Sequence, residues 1–129
     1  MIKVRDIMVS PVIMVDANTR VEEACRIMGE KHIGSLIVTE GGKPAGIFTE
    51  RDLLTKILLK DSKLLKERVK EFMSSPLTVI TPDFELREAA RIMTQLKIRR
   101  LPVVQEGQLL GIITSADITR AIGESPLSI

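Results

Sequence analysis

Two segments carry the pattern with the clearest chemical use: Gly46-Ile47-Phe48-Thr49-Glu50-Arg51-Asp52 and Gly111-Ile112-Ile113-Thr114-Ser115-Ala116-Asp117. Each sets a threonine three residues before an aspartate, where an apolar run gives way to a helical pattern. Two kinds of chemistry suit that spacing. Thr-x-x-Asp can close a helix start as a capping box, with threonine as N-cap and aspartate at the third helical position. The same groups can hold a nucleoside. An ionised Asp52 or Asp117 accepts two hydrogen bonds, as a ribose cis-diol offers, and the hydroxyl of Thr49 or Thr114 can reach sugar or phosphate. A helix N-terminus adds free N–H groups and positive potential for a phosphate. Capping and binding are compatible, because both side chains have lone pairs to spare.

The elements that position these residues occur twice. Sliding the chain by 65 positions lines up its halves without a gap, and about 17 of 49 positions from Val4 to Asp52 are identical. Val4, Met8, Ser10 and Pro11 fall on Val69, Met73, Ser75 and Pro76. Glu23-Ala24-x-Arg26-Ile27-Met28 falls on Glu88-Ala89-x-Arg91-Ile92-Met93, and Ile33, Leu36 and Val38 fall on Ile98, Leu101 and Val103. Such agreement at one fixed offset marks a duplication. Each copy predicts a short strand (Val12–Val15; Thr78–Ile80) and then an amphipathic helix with apolar residues at helical spacing. A hairpin around a Gly-containing turn follows (Ser35–Thr39 to Ala45–Thr49; Leu101–Val104 to Leu109–Thr114). A second helix closes each copy, from about Glu50 to Lys60 and from about Ser115 to Ile122. The expected class is α/β (α+β), two β-α-β-β-α repeats: residues 1–64, with closing helix and linker, and residues 65–129. A copy of roughly 55–60 residues buries its sheet poorly alone, so the two are expected to pack face to face. Met8 and Met73 are expected beneath the first strand. The linker Lys60–Arg68 is charged and helix-compatible, without Gly or Pro, and does not read as a flexible tether.

The duplicated unit resembles the cystathionine β-synthase (CBS) domain, and the whole chain looks like a stand-alone tandem CBS pair. The resemblance covers about residues 1–122. It rests on the opening Val-x-x-x-Met-x-x-Pro, on Lys97-Ile98-Arg99-Arg100-Leu101-Pro102-Val103-Val104, and on Gly-h-x-Thr-x-x-Asp in both copies, h being apolar. It implies two repeats packed about a pseudo-two-fold axis, leaving two clefts for adenine nucleotides (AMP, ADP, ATP) or related adenosyl ligands, and further pairing into a homodimer. It makes Asp52 and Asp117 the ribose binders and Thr49 and Thr114 sugar or phosphate contacts. Ile13, Val15, Thr78 and Ile80 would flank the adenine through backbone polar groups and aliphatic side chains. Arg99 and Arg100 match a basic pair that holds phosphates in some relatives, and Arg51 is placed to reach the opposite cleft.

The copies differ at these positions. Copy two has Arg99, Arg100 and Pro102 where copy one has Gly34, Ser35 and Ile37, and copy one has Arg51 where copy two has Ala116. Cations converging across the pseudo-dyad would make the cleft of Asp117, Thr114 and Arg51 the one that favours phosphate more. The plainer reading of Arg99 and Arg100 is a solvated corner between helix and strand.

Composition narrows the rest. The chain has 129 residues, 44% hydrophobic and 28% charged, with a net charge of +2. Disorder is disfavoured, and no apolar run approaches the roughly 18–20 residues of a membrane span. The opening Met-Ile-Lys-Val-Arg-Asp-Ile-Met lacks secretory-signal features, so a cytoplasmic protein is expected. Cys25 is the only cysteine and His32 the only histidine. They assemble no Ser-His-Asp or Cys-His set and no metal cluster, and no Walker-type loop is present. Cys25 reads as packing and His32 as a helix-end residue. With no Trp, no Tyr and three Phe, the chain lacks the aromatic platforms of single-strand binders. The basic linker residues Lys60, Lys63, Lys66, Arg68 and Lys70 read as a solvated face rather than a nucleic-acid site. The leading expectation is a non-catalytic sensor that needs no cofactor and binds an adenine nucleotide, with a separate effector protein. The alternatives are an interaction scaffold whose turns are only caps, and a small nucleic-acid binder.

Overall fold

The structure, a computed structural model, describes residues 1–124; the last five residues of the expected second repeat lie outside them. The first half contains α1 (Val4–Ile7), β1 (Met14–Asp16), α2 (Val21–Lys31), β2 (Ser35–Glu40), β3 (Lys43–Thr49) and α3 (Glu50–Asp52). After a π-helical stretch (Leu53–Leu58) and two 3-10 turns (Ser62–Lys66, Val69–Glu71) come α4 (Leu86–Leu96), β4 (Arg100–Gln105), β5 (Gln108–Thr114) and α5 (Ser115–Glu124). The second helix expected in copy one is thus one turn of α-helix that widens, closing with Leu59 N–H on the Leu54 carbonyl at 3.0 Å.

The described residues form two compact units, residues 13–77 and residues 1–12 together with residues 78–124. The repeat and the compact unit are therefore different divisions of the chain, because each repeat's opening arm packs in the other repeat's core. Val69 is wholly buried among Val15, Val21, Leu36, Val38 and Phe48, while Val4 is wholly buried among Ile80, Leu86, Ala89, Leu101 and Ile113. Matching backbone bonds fix the arms: Val69 N–H to Thr19 O and Lys70 N–H to Ala17 O, against Val4 N–H to Phe84 O and Arg5 N–H to Pro82 O. Farther along, Ser74 and Ile47 exchange two backbone bonds, as do Val9 and Ile112.

These arms also place Met8 and Met73. Both pack against the cores, Met73 on the cluster that contains Val15 and Met8 on the one that contains Ile80. Met73 packs on Gly46 and Met8 on Gly111, where a Cβ would stand 2.5 Å and 2.9 Å from the respective sulfurs. Only glycine leaves room for the arm to cross the strand there.

In residues 13–77 the sheet order is β1-β2-β3, with β1 parallel to β2 and β2 antiparallel to β3. The other unit keeps the β4–β5 hairpin, but the strand expected at Thr78–Ile80 is reduced to one parallel bridge, Ile80 to Val103. Two prolines account for the difference. In copy one, Ile37 N–H donates to Ile13 O at 3.3 Å and Ala17 N–H to Thr39 O at 2.8 Å. The matching donors in copy two would come from Pro102 and Pro82, which have no N–H.

Both hairpins turn on two residues of positive φ, Gly41-Gly42 (58° and 79°) and Glu106-Gly107 (53° and 77°). That geometry matches the right-handed twist of the flanking strands. α2 buries Val21, Ala24 and Met28, and α4 buries Leu86, Ala89 and Met93, one stripe each against its sheet. Both helices end on a left-handed residue, His32 or Lys97, whose N–H donates to the carbonyl of Met28 or Met93.

Candidate functional site

The Thr-x-x-Asp turns stand where the second strand of each hairpin runs into a helix. Ser35 faces Thr49 across the first hairpin, and Arg100 faces Thr114 across the second. The first helical N–H is met by the strand entrance: Glu50 N–H donates to Gly34 O at 3.0 Å and Ser115 N–H to Arg99 O at 2.9 Å.

Both turns are capping boxes. Asp52 Oδ2 accepts from Thr49 N–H (2.9 Å) and from the Thr49 hydroxyl (3.1 Å), and Thr49 Oγ1 lies 3.2 Å from the Asp52 N–H. Asp117 Oδ2 accepts from Thr114 N–H at 2.9 Å, and Asp117 N–H donates to Thr114 Oγ1 at 3.2 Å. The carboxylates are unusual in their burial: Asp52 is 7% exposed and Asp117 5%, the two buried charged residues among those described. Such burial is tolerated because each is hydrogen-bonded and paired. Asp52 Oδ1 lies 3.0 Å from Lys56 Nζ, and Asp117 Oδ1 accepts from both terminal nitrogens of Arg120 at 3.3 Å.

The sequence reading missed Lys56 and Arg120. A cation three or four residues after a helical acid was the signal that pointed to them.

Each compact unit holds its own set of expected site residues. Ile13, Val15, Thr49, Arg51 and Asp52 belong to residues 13–77, and Thr78, Ile80, Arg99, Arg100, Thr114 and Asp117 to the other unit. Within the sets, threonine and aspartate meet directly. Val15 and Ile80 point into the cores. Ile80 also has both backbone groups engaged with β4, through Pro102 O at 3.1 Å and Val104 N–H at 2.8 Å. Ile13 is half-buried and Thr78 exposed. Arg51 and Arg99 are exposed, and among the described residues neither is ion-paired.

Other tempting groups are occupied. Cys25, on α2, packs against the core, and burial pushes its thiol pKa up, away from a reactive thiolate. In the basic linker, Lys66 pairs with Glu22, and Arg68 donates to Asn18 O. A concavity of about 620 Å³ in residues 13–77 is lined by Arg20, Glu22, Glu23, Arg26 and Arg68 among others, with no turn residue. Arg26 there is tied to Glu23 and Glu30, and its hydrogen bonds hold the Glu23 carboxyl below its ordinary pKa. Among the described residues no cluster of His, Cys, Asp or Glu could hold a metal ion, and no helix is long and apolar enough to cross a membrane.

A duplicated helix, hairpin and helix with a buried aspartate in each strand-to-helix turn defines a tandem-repeat module. The family model for the CBS domain matches residues 4–59 and 69–124, so the chain belongs to the CBS domain family, with two domains over nearly all of its length. It is 36% identical over 121 residues to the uncharacterized protein MJ1225 of Methanocaldococcus jannaschii, covering 93% of this chain and 42% of that one. The chain thus spans less than half the length of that relative. It is similar to the crystal structure of the CBS domain pair of protein MJ0100 in complex with 5′-methylthioadenosine and S-adenosyl-L-methionine, at 30% identity and TM-score 0.85, covering 95% and 97% of the two chains. It is also similar to the hexameric CBS-CP12 protein from bloom-forming cyanobacteria, at 33% identity and TM-score 0.87, covering 97% of this chain and 75% of that one.

Proposed function

We propose that this CBS pair is a regulatory, non-catalytic module that binds an adenine nucleotide or related adenosyl compound at its Thr-x-x-Asp turns. The observation that carries this reading is the state of the two aspartates. Each is buried, spends one oxygen on its cap, and has the other met by a side-chain cation from the next helical turn. That second oxygen is where a ribose diol would donate. Arg51 and Arg99 are exposed cations for phosphate, and Ile13, just before β1, and Thr78, just before the Ile80 bridge, offer main-chain groups to a base. Both compounds in the MJ0100 complex carry an adenosine ribose, which supports the same choice here. Binding regulates only when two states of the protein, or of its partner, take the ligand unequally; a separate effector protein is the receiver in this reading.

A protein-interaction role is favoured by the exposed apolar residues after the turns, Leu54, Leu58, Leu59 and Ile122. They suit self-association as a homodimer. Sedimentation showing only monomer at micromolar concentration, with and without nucleotide, would remove that part of the proposal.

The test of binding is calorimetry of nucleotide-stripped protein against AMP, ADP, ATP and S-adenosylmethionine, beside Asp52→Ala and Asp117→Ala. Saturable binding lost with one or both substitutions is the expected result. Flat traces for all four ligands from folded protein would leave the interaction scaffold.

A further inference from the structure

The carboxylate of Asp52 has a resident competitor for its free oxygen. Lys56 Nζ stands 3.0 Å from Asp52 Oδ1 and donates from the same ammonium to the main-chain carbonyl of Phe72, 2.8 Å away. Phe72 belongs to the arm that runs from Val69 to Ser74, and Ser74 is itself pinned to Ile47 by two backbone bonds. The Lys56 ammonium is therefore held by two acceptors at once. The other Asp52 oxygen is filled as well, since Oδ2 takes both the N–H and the hydroxyl of Thr49. A diol that needs one lone pair on each oxygen finds both sites of Oδ2 taken by Thr49 and must share Oδ1 with the Lys56 ammonium.

The Asp117 turn is built differently. Its Oδ2 takes only the Thr114 N–H, and its Oδ1 meets Arg120 at 3.3 Å, long for a charged contact. The Arg120 side chain is 60% exposed, against 42% for Lys56, and has no main-chain anchor among the described residues. The contrast lies in the sequence. The position matching Lys56 in copy two is the buried Ala121, and the cation has moved to Arg120, which matches Thr55.

Resting on the nucleoside reading above, we infer that Lys56 is a positioning residue that withholds Asp52 from ribose. The turn in residues 13–77 is the weaker nucleoside site, and the turn that holds Asp117 is the stronger. Lys56 differs here from a phosphate-binding cation, whose removal weakens binding.

Adenosine separates the two roles, because it carries no charge for Lys56 to attract. The experiment titrates adenosine calorimetrically into Asp117→Ala protein, so that the Asp52 turn is read alone, with and without Lys56→Met and Lys56→Arg. Lys56→Met is expected to tighten adenosine binding about tenfold, the effect of releasing a charged hydrogen bond from the acceptor. Lys56→Arg, which restores a cation, is expected to stay within about twofold of the parent. Unchanged or weaker binding by Lys56→Met overturns the clamp and leaves the nucleoside reading standing. Absence of binding in all forms, each folded by circular dichroism, overturns both. Should Lys56→Met fail to fold, Lys56→Gln replaces it under the same expectation.

Discussion

Replacing Val4 by alanine should loosen the unit built from the second repeat, although Val4 belongs to the first. Val4 is 0% exposed and packs with Ile80, Leu86, Ala89, Leu101 and Ile113. Losing its two methyls forfeits about 0.8 kcal/mol each in transfer free energy, and the cavity left behind brings the cost to roughly 2–3 kcal/mol. Amides that exchange with solvent through opening of that unit should then exchange roughly 30- to 150-fold faster, since each 1.4 kcal/mol is about a factor of ten. Hydrogen exchange read by NMR or mass spectrometry supplies the assay. The acceleration is expected in α4, β4 and β5, while α2 and β2 keep their wild-type rates. Val69→Ala should give the mirror image, because Val69 fills the core of residues 13–77. Equal acceleration in both units, or acceleration confined to α2 and β2 with Val4→Ala, would refute the exchange of arms as a description of stability.

Three further outcomes follow from single positions. Gly46→Ala should cost about 1–3 kcal/mol in urea denaturation, because its Cβ would meet Met73 Sδ at 2.5 Å and Ser74 O at 2.9 Å. Gly111→Ala should cost less, its nearest atoms lying at 2.9 and 3.0 Å; neutral substitutions would contradict the crossing. Glu106→Asn should raise thermal stability by about 0.5–1 kcal/mol, because Glu106 sits at φ 53° in a turn that prefers Asn-Gly; an unchanged melting temperature would contradict the strain. Burial raises the Cys25 pKa in the folded state, so the fold binds that proton more tightly than the unfolded chain does. The resulting stability is present below the ordinary thiol pKa of about 8.5 and lost as pH rises through the raised value. Cys25→Ala should therefore flatten the alkaline decline in denaturation midpoints, and an identical decline would assign it to other groups.

The local features were legible because they depend on residues close in sequence. The α2 and α4 stripes, the hairpins and the Thr-x-x-Asp caps are set by helical period, by turn residues with positive φ, and by side chains three positions apart. What escaped depends on distant partners. The shortfall at Thr78–Ile80 needed the knowledge that Ile13 and Thr39 accept from positions that become Pro102 and Pro82. Val4 and Val69 read alike in sequence, and only packing says which core each fills. At the site, Thr49 with Asp52 and Thr114 with Asp117 were visible as pairs. The Lys56 contact to Phe72 spans sixteen positions, beyond any helical spacing rule. Val15 and Ile80, which the family resemblance implies as ligand neighbours, have buried side chains, a placement that packing alone reveals.

The central claim is that the two Thr-x-x-Asp turns are nucleotide sites, and an NMR titration tests it most directly. Nucleotide-stripped, ¹⁵N-labelled protein would be titrated with AMP while the amides of Thr49, Asp52, Thr114 and Asp117 are followed. The account predicts saturable shifts at Thr114 and Asp117 first, then at Thr49 and Asp52, abolished turn by turn in Asp117→Ala and Asp52→Ala. Shifts confined to the groove around Arg20 and Arg68, or none up to millimolar AMP, would contradict it.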